Sequence, residues 1–317
     1  MAGCQNLWMH RRFVVGAIPL FLVACQTPPP LATSPAPAAP QPVPVATPTP
    51  PPPPPPTPKR PPKLGLALGG GAARGFAHIG VIQVLEEAGI RPDLVVGTSA
   101  GSLVAALYAH GKTGAELANL ALTMDEGTIT DWAFPGRGLI RGDALARYVR
   151  DQTGNKPIEQ MKMRLGIVAT DLDSGAGVLF ERGDTGQAVR ASSSVPAVFQ
   201  PVKIGDREYV DGGLVSPVPV RYARQMGAEM VLAVDISSPP DGAATDGTMR
   251  LLLQTFAIMG KSINRFELQG ADVVLRPALV GVSSADFTSR VRAIRSGREM
   301  ATAMLPEIKA KLAALAR

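Results

Sequence analysis

From Leu64 onward, apolar and polar positions follow two alternating periods. Residues 64–68 (LGLAL) form a short apolar run of strand type, entering a glycine-rich stretch. In the next segment Ile79, Ile82 and Leu85 share one helical face and Gln83, Glu86 and Glu87 the other, and Ala88-Gly89 closes the helix. Residues 94–96 read as a buried strand, and residues 103–109 as a helix that stops before Gly111. The order strand, glycine loop, helix, strand, tight turn, helix predicts parallel strands joined by a right-handed crossover. Further strands are expected at 165–170, 178–181, 208–210, 230–235 and 271–275, with Asp171 and Asp173 on a surface turn between the first two. Residues 249–266 and 289–316 read as amphipathic helices whose Met and Leu stripes predict contact with the core rather than insertion into a membrane.

The first 62 residues follow neither period. His10-Arg11-Arg12 precedes an apolar run at 13–24, too short for a bilayer span of roughly 20 residues and suited to a signal-peptide core. The run ends in Leu22-Val23-Ala24-Cys25, which resembles a bacterial lipobox and predicts an acylated Cys25 as the mature N-terminus. Gln26 after the cysteine resembles the sorting pattern for the periplasmic face of the outer membrane. Residues 27–62 hold 19 of the 31 prolines. Such a tract cannot pack a core, and as polyproline II at about 3.1 Å per residue it would reach roughly 110 Å. The expected organisation is therefore a leader at 1–24, a lipidated tether at 25–62 and a catalytic body at 63–317, with the motifs in 63–226 and further strands and helices in 227–317.

Charge and cysteine content narrow the body. Five of the 32 Lys and Arg lie before Leu64 and no acid precedes Glu86, leaving 27 positive against 26 negative side chains, a net of +1. A basic nucleic-acid-binding body is excluded on that balance. Both cysteines lie at or before position 25, so the body has neither a disulfide scaffold nor a cysteine-ligated zinc site.

The chemistry concentrates in two turns. Gly69-Gly70-Gly71-Ala72-Ala73-Arg74-Gly75 lacks the spacing of a dinucleotide fingerprint and the lysine of a phosphate-binding loop. What it offers is a row of bare amides at the start of a helix, suited to a developing oxyanion. Gly97-Thr98-Ser99-Ala100-Gly101 is a G-x-S-x-G turn whose glycines, Gly97 and Gly101, permit the strained elbow that exposes a nucleophilic hydroxyl; the same spacing also suits a serine that merely caps a helix. The body has two histidines. His110 lies eleven residues beyond Ser99, about 16 Å along a helix, and His78 sits early in the helix after the glycine loop, so a Ser-His-Asp triad is not expected. Asp211, followed by Gly212 and Gly213, is the carboxylate most suited to act as base, although Asp-Gly is equally a hairpin signal.

These motifs, in this order, together with Ala191-Ser-Ser-Ser-Val-Pro-Ala-Val-Phe-Gln-Pro201, resemble the patatin-like phospholipase family over roughly residues 63–226. The resemblance implies a three-layer α/β/α fold with a mostly parallel sheet and hydrolysis of lipid or lysolipid acyl esters, the membrane being reached through the acylated Cys25. It implies Ser99 as nucleophile, Asp211 as proton acceptor, Gly69 to Gly71 as the oxyanion loop with Gly70 and Gly71 favoured as donors, and Arg74 in support. No metal or cofactor is expected. This chain departs from the family's usual shorthand by one extra residue before Arg74. A non-catalytic envelope lipoprotein with the same fold is the alternative. Residues 131–136, with Trp132 and Phe134, are the best candidate for a lid or interfacial contact, and suit simple packing equally.

Overall fold

The computed structural model describes residues 60–125, 127, 131, 137–237, 247–282 and 287–317. The leader, Cys25 and the tether up to residue 59 lie outside the described residues, as do Trp132 and Phe134 of the aromatic loop. Arg60 is already part of the body: its guanidinium pairs with Glu229 at 2.8 Å and its carbonyl accepts from the Arg317 amide at 3.0 Å.

Strand β1 (Leu64–Leu68) runs into a 3-10 turn and helix α1 (Phe76–Glu87), then β2 (Leu94–Thr98) into α2 (Ala100–His110), as the alternation predicts. Strand β9 (Met230–Val234) and strand β10 (Val273–Leu275) add parallel neighbours on the other side of β1, and β4 (Arg164–Asp171) lies parallel to β2. The remaining strands, β5 (Gly177–Phe180), β7 (Val202–Ile204) and β8 (Arg207–Asp211), are antiparallel additions. Strands β3 (Gly138–Ile140) and β6 (Ala197–Phe199) form a separate pair.

Sheet faces follow the period of two. Leu64, Leu66 and Leu68 of β1 pack into a large core with α1, α2, α3 (Gly114–Thr123) and α4 (Asp143–Gln152), whereas Ala67 and the even positions of β2 face Val220, Tyr222 and Ala223 of α6 (Val220–Gln225). Helices thus cover both faces of the sheet. Among the described residues no helix is long and apolar enough to cross a membrane.

Two expectations are corrected here. Asp171 is buried, 2% exposed, rather than on a surface turn. It receives Arg207 at 2.7 Å and Ser174 N–H and Oγ at 2.9 Å, contacts that hold its carboxyl down at about 2, Arg207 contributing most. The two C-terminal helices also differ. In α8 (Arg290–Ala314) Ala293, Ile294, Gly297, Ala301 and Ile308 are buried, and its backbone approaches α1 so closely that a methyl at Gly80 would overlap the Ile294 carbonyl. In α7 (Thr248–Glu267) the one buried residue is Asn264, while Leu251, Leu253, Ile258 and Met259 are exposed. The α7 stripe is therefore not core.

Candidate active site

The register of β4 brings the two predicted catalytic residues together. Val168 pairs with Thr98 at the end of β2, and the next residue, Ala169, pairs with Asp211 at the end of β8. Since β5 occupies the other edge of β4 over residues 167–170, β2 and β8 share one edge, and antiparallel β8 continues the line that β2 leaves at the elbow. Ser99 follows Thr98 and so emerges beside Asp211.

Ser99 adopts φ 52° and ψ −124°, a conformation that costs about 1–3 kcal/mol for a residue with a Cβ. Its side chain makes no capping bond to α2, so the capping alternative does not describe it. The strain is held by contacts on each side. The Ser99 N–H donates to Ser192 Oγ at 2.8 Å, Ser192 Oγ donates to Val168 O at 2.6 Å, and Ser99 O accepts from Ser102 Oγ at 2.6 Å. A side chain at Gly101 would overlap the Leu68 carbonyl, so the elbow can lie against the end of β1 only without one.

Asp211 is 6% exposed. It ends β8 at a 3-10 turn (Gly212–Leu214) rather than a hairpin, and its Oδ1 accepts from Gly213 N–H at 2.7 Å. Its backbone is fixed by its own N–H to Ser194 O at 2.9 Å and by Thr170 Oγ1 to its carbonyl at 2.8 Å. Burial pushes its carboxyl up to about 6, against smaller downward pulls from the Ser99 hydroxyl and the Gly213 amide. Oδ2 is buried with no hydrogen bond of normal geometry, so Ser99 lies near enough to influence the carboxyl without a well-formed bond to it. Catalytic hydrogen bonds commonly tighten only in the complex with substrate.

In the glycine loop, Gly69 N–H donates to Val234 O at 3.0 Å and Gly70 N–H to Pro217 O at 2.9 Å. Both amides are committed to holding the loop, which corrects the expectation of Gly70 as an oxyanion donor. Among the described residues nothing accepts from Gly71 N–H or Ala72 N–H, and both residues line the pocket that holds Ser99 and Asp211. The extra residue before Arg74 is absorbed in the 3-10 turn Ala72–Gly75, where Ala72 takes φ 49°. Arg74 closes that turn through its N–H to Gly71 O at 3.1 Å, and its buried guanidinium is lowered by desolvation and partly restored by Asp235. His78 lies fully buried beneath the loop with Nε2 2.8 Å from Gly69 O, and burial drives it down to about 4. It is therefore neutral and donates to that carbonyl rather than to Ser99. His110 ends α2.

Two spaces meet at Ser99. One, of about 230 Å³, is lined by Gly71, Arg74, Ser99, Asp211 and residues Leu253, Phe256 and Gly260 of α7. The other, about 390 Å³, is apolar and runs between α1, α2, α3 and α4 past Phe76, Leu103, Leu120, Met124 and Tyr148. Ser192 and Ser194, which fasten the backbone of both catalytic candidates, were not singled out from the sequence. Their only signal was their place in the motif that runs from Ala191 to Pro201.

The patatin-like phospholipase family model matches residues 66–224. An uncharacterized NTE family protein of Mycobacterium tuberculosis is 37% identical over 188 residues, covering 58% of this chain and 52% of the relative. Patatin-like phospholipase domain-containing protein 6 of Mus musculus is 35% identical over 184 residues, covering 55% of this chain and 14% of that protein. The chain thus spans about half the length, or much less, of the curated relatives it matches. Among solved structures, VipD from Legionella pneumophila shares the fold with a TM-score of 0.54 at 14% identity, over 77% of this chain and 66% of that one. With a family match over half its length, and with that family's serine elbow, glycine loop and Asp-Gly turn meeting at one sheet edge, the chain belongs to the patatin-like phospholipase family.

Proposed function

We propose that this chain is a serine hydrolase of lipid acyl esters working through a Ser99–Asp211 dyad. The observation that carries this reading is the meeting of three groups in one pocket: the strained Ser99, the unpartnered Oδ2 of Asp211, and the uncommitted amides of Gly71 and Ala72. Ser99 Oγ attacks the ester carbonyl while its proton passes to Asp211, and the oxyanion is received by the Gly71 and Ala72 amides. Collapse of the adduct breaks the bond to the alcohol oxygen, which takes the proton from Asp211. Water then adds to the acyl-enzyme, gives its proton to Asp211, and releases the fatty acid as Ser99 recovers a proton. A carboxyl poised near 6 is ionised at neutral pH yet basic enough to take part, which an ordinary aspartate near 3.8 does poorly. The apolar space past Leu103 and Met124 suits one acyl chain, and its size lies within the usual range for small-molecule sites.

The test is labelling by a fluorophosphonate together with turnover of a lipid panel read by mass spectrometry. Modification of Ser99 and release of fatty acid are expected; labelling at another serine, or no hydrolysis of any acyl ester, rejects the reading. The panel also assigns the cleavage to phospholipids or lysophospholipids. We further propose that Cys25 is acylated and that residues 26–59 tether the body to the periplasmic face of an outer membrane. Intact-mass analysis of membrane-extracted protein tests this, and an unmodified N-terminus at another residue rejects it.

A further inference from the structure

One polar hollow of about 730 Å³ has no part in the chemistry above. It opens where β9 and β10 end and is walled by the last turns of α7. Lys261, Asn264, Arg265 and Arg276 line it, with Asp235 and Ser237. Positions 261, 264 and 265 share one helical face. Three cations and one carboxylate leave the hollow positive by two. Asp235 is already committed, to Ser237 N–H at 3.0 Å, Ser237 Oγ at 2.6 Å and Arg276 at 3.4 Å. No ion pair holds Lys261 or Arg265 among the described residues. Asn264 is 3% exposed, and among the described residues neither its Oδ1 nor its Nδ2 has a hydrogen-bond partner. A buried amide with both ends unpaired is costly and rare in folded proteins, and Asn264 is one of the residues that line this cationic hollow.

The hollow is also placed in line with the reaction. Leu68 pairs with Gly97 on one side and Val234 on the other, and Val234 pairs with Leu275. Arg276, Asp235, Gly69 and Thr98 therefore stand in a row across the sheet edge, with neighbours about 4.8 Å apart. Some 10 Å, roughly two such spacings, separates the end of β9 from the end of β2, a gap that the glycerol of a lipid and a long basic side chain close together. Ser237 lines both this hollow and the Ser99 pocket, and Gly260 of the Ser99 pocket directly precedes Lys261.

We propose that Lys261, Asn264, Arg265 and Arg276 form a phosphate-binding subsite, an inference that rests on the hydrolase reading and deepens it by making a phosphate-bearing lipid the preferred substrate. Lysine and arginine supply charge-assisted bonds to phosphate oxygens, Asn264 Nδ2 adds a buried neutral donor, and free phosphomonoesters would engage the same groups.

The test compares monomeric dihexanoyl-phosphatidylglycerol with p-nitrophenyl hexanoate, an ester that lacks phosphate, in the wild type, a Lys261→Ala/Arg265→Ala double variant and Asn264→Leu. The phospholipid-to-hexanoate ratio of kcat/KM should fall about tenfold or more in the double variant, mainly through KM. It should also fall in Asn264→Leu, whose melting temperature should hold or rise because an unpaired amide has been replaced by a near-isosteric apolar group. An Asn264 with a structural role would lose stability instead and leave the ratio alone. Calorimetry with sn-glycerol 3-phosphate and with inorganic phosphate separates the sources of the ligand. Binding that the double variant abolishes, with an unmoved ratio, rejects the headgroup and assigns the site to free phosphate. An unmoved ratio with no phosphate binding overturns the proposal altogether. Should the wild type cleave neither ester, the hydrolase reading fails by itself, and calorimetry alone decides the subsite.

Discussion

The elbow after β2 and the turn after β8 deliver their side chains to the same pocket by opposite means. At Ser99 the backbone is strained and the side chain free: φ is positive, no capping bond forms, and the Ser192 hydroxyl clamps the amide. At Asp211 the backbone lies in an ordinary strand and the cost falls on the side chain, whose carboxyl is buried with Oδ2 unpaired. A nucleophile needs a defined direction of attack, which local backbone geometry can fix. A base needs a raised proton affinity, which only surrounding burial can supply. Residues 191–201 serve both, since Ser192 holds the amide of one and the Ser194 carbonyl holds the amide of the other.

The largest effect comes from removing either partner. Ser99→Ala and Asp211→Asn should each lower kcat by about three to four orders of magnitude, and the double variant should be scarcely worse than either alone. Additive losses in single-turnover kinetics would separate the two regions into independent devices. Gly71→Val attacks the third side of the pocket. An added Cβ would meet Ile236 Cδ1 at 2.8 Å and displace the amide, so kcat should fall by about two orders of magnitude with the fold retained in circular dichroism.

Asp211→Asn also tests whether burial tunes the proposed base. Because its folded value is raised to about 6 from 3.8, the aspartate favours the folded state at acid pH and loses that contribution as pH climbs through 6. Relative to wild type, the asparagine variant should therefore gain stability between about pH 4 and pH 7, by about 2–3 kcal/mol, while losing activity. The wild-type rate should rise over the same interval, as the base ionises. A stability gap that does not widen with pH would count against burial as the origin of the shift.

Ser192→Ala leaves the Ser99 amide without its acceptor, and a loss of about tenfold in kcat is expected, with no change in the pH of half-maximal rate, since Asp211 is untouched. The smallest effect belongs to His78→Gln, which keeps a donor near Gly69 O. Turnover within a few-fold of wild type is expected, and an inactive, folded variant would give the histidine a role in proton transfer.

Much of the site was legible because its residues lie in short, ordered motifs whose glycines are demanded by backbone contact. Gly97 and Gly101 could be read as an elbow from five residues, and helix rise alone put His110 out of reach of Ser99, whereas the partner of His78, the Gly69 carbonyl, showed only in the fold. The donors of the oxyanion loop could not be read in this way. Whether an amide is free depends on which carbonyl faces it, and Val234 and Pro217, far away in the chain, take those of Gly69 and Gly70. The two late amphipathic helices illustrate the same limit. Both carry Met and Leu at helical spacing, yet α8 sinks Gly297 and Ala301 against α1 while α7 buries a lone asparagine.

By itself, then, the sequence determined the alternation of strands and helices, the elbow at Ser99, the candidacy of Asp211, the near-neutral body and the proline-rich stretch before it. Period, glycine spacing and charge are properties of neighbouring residues, and they act before the chain is packed. Tertiary structure alone decided that Ala169 sets Asp211 beside Thr98, that burial raises its carboxyl toward 6, that Pro217 takes the Gly70 amide while no described residue takes those of Gly71 and Ala72, and that α7 lies along the site instead of within the core. Each of these turns on a partner distant in sequence, because desolvation and hydrogen-bond competition exist only once the surrounding strands and helices have closed around the group.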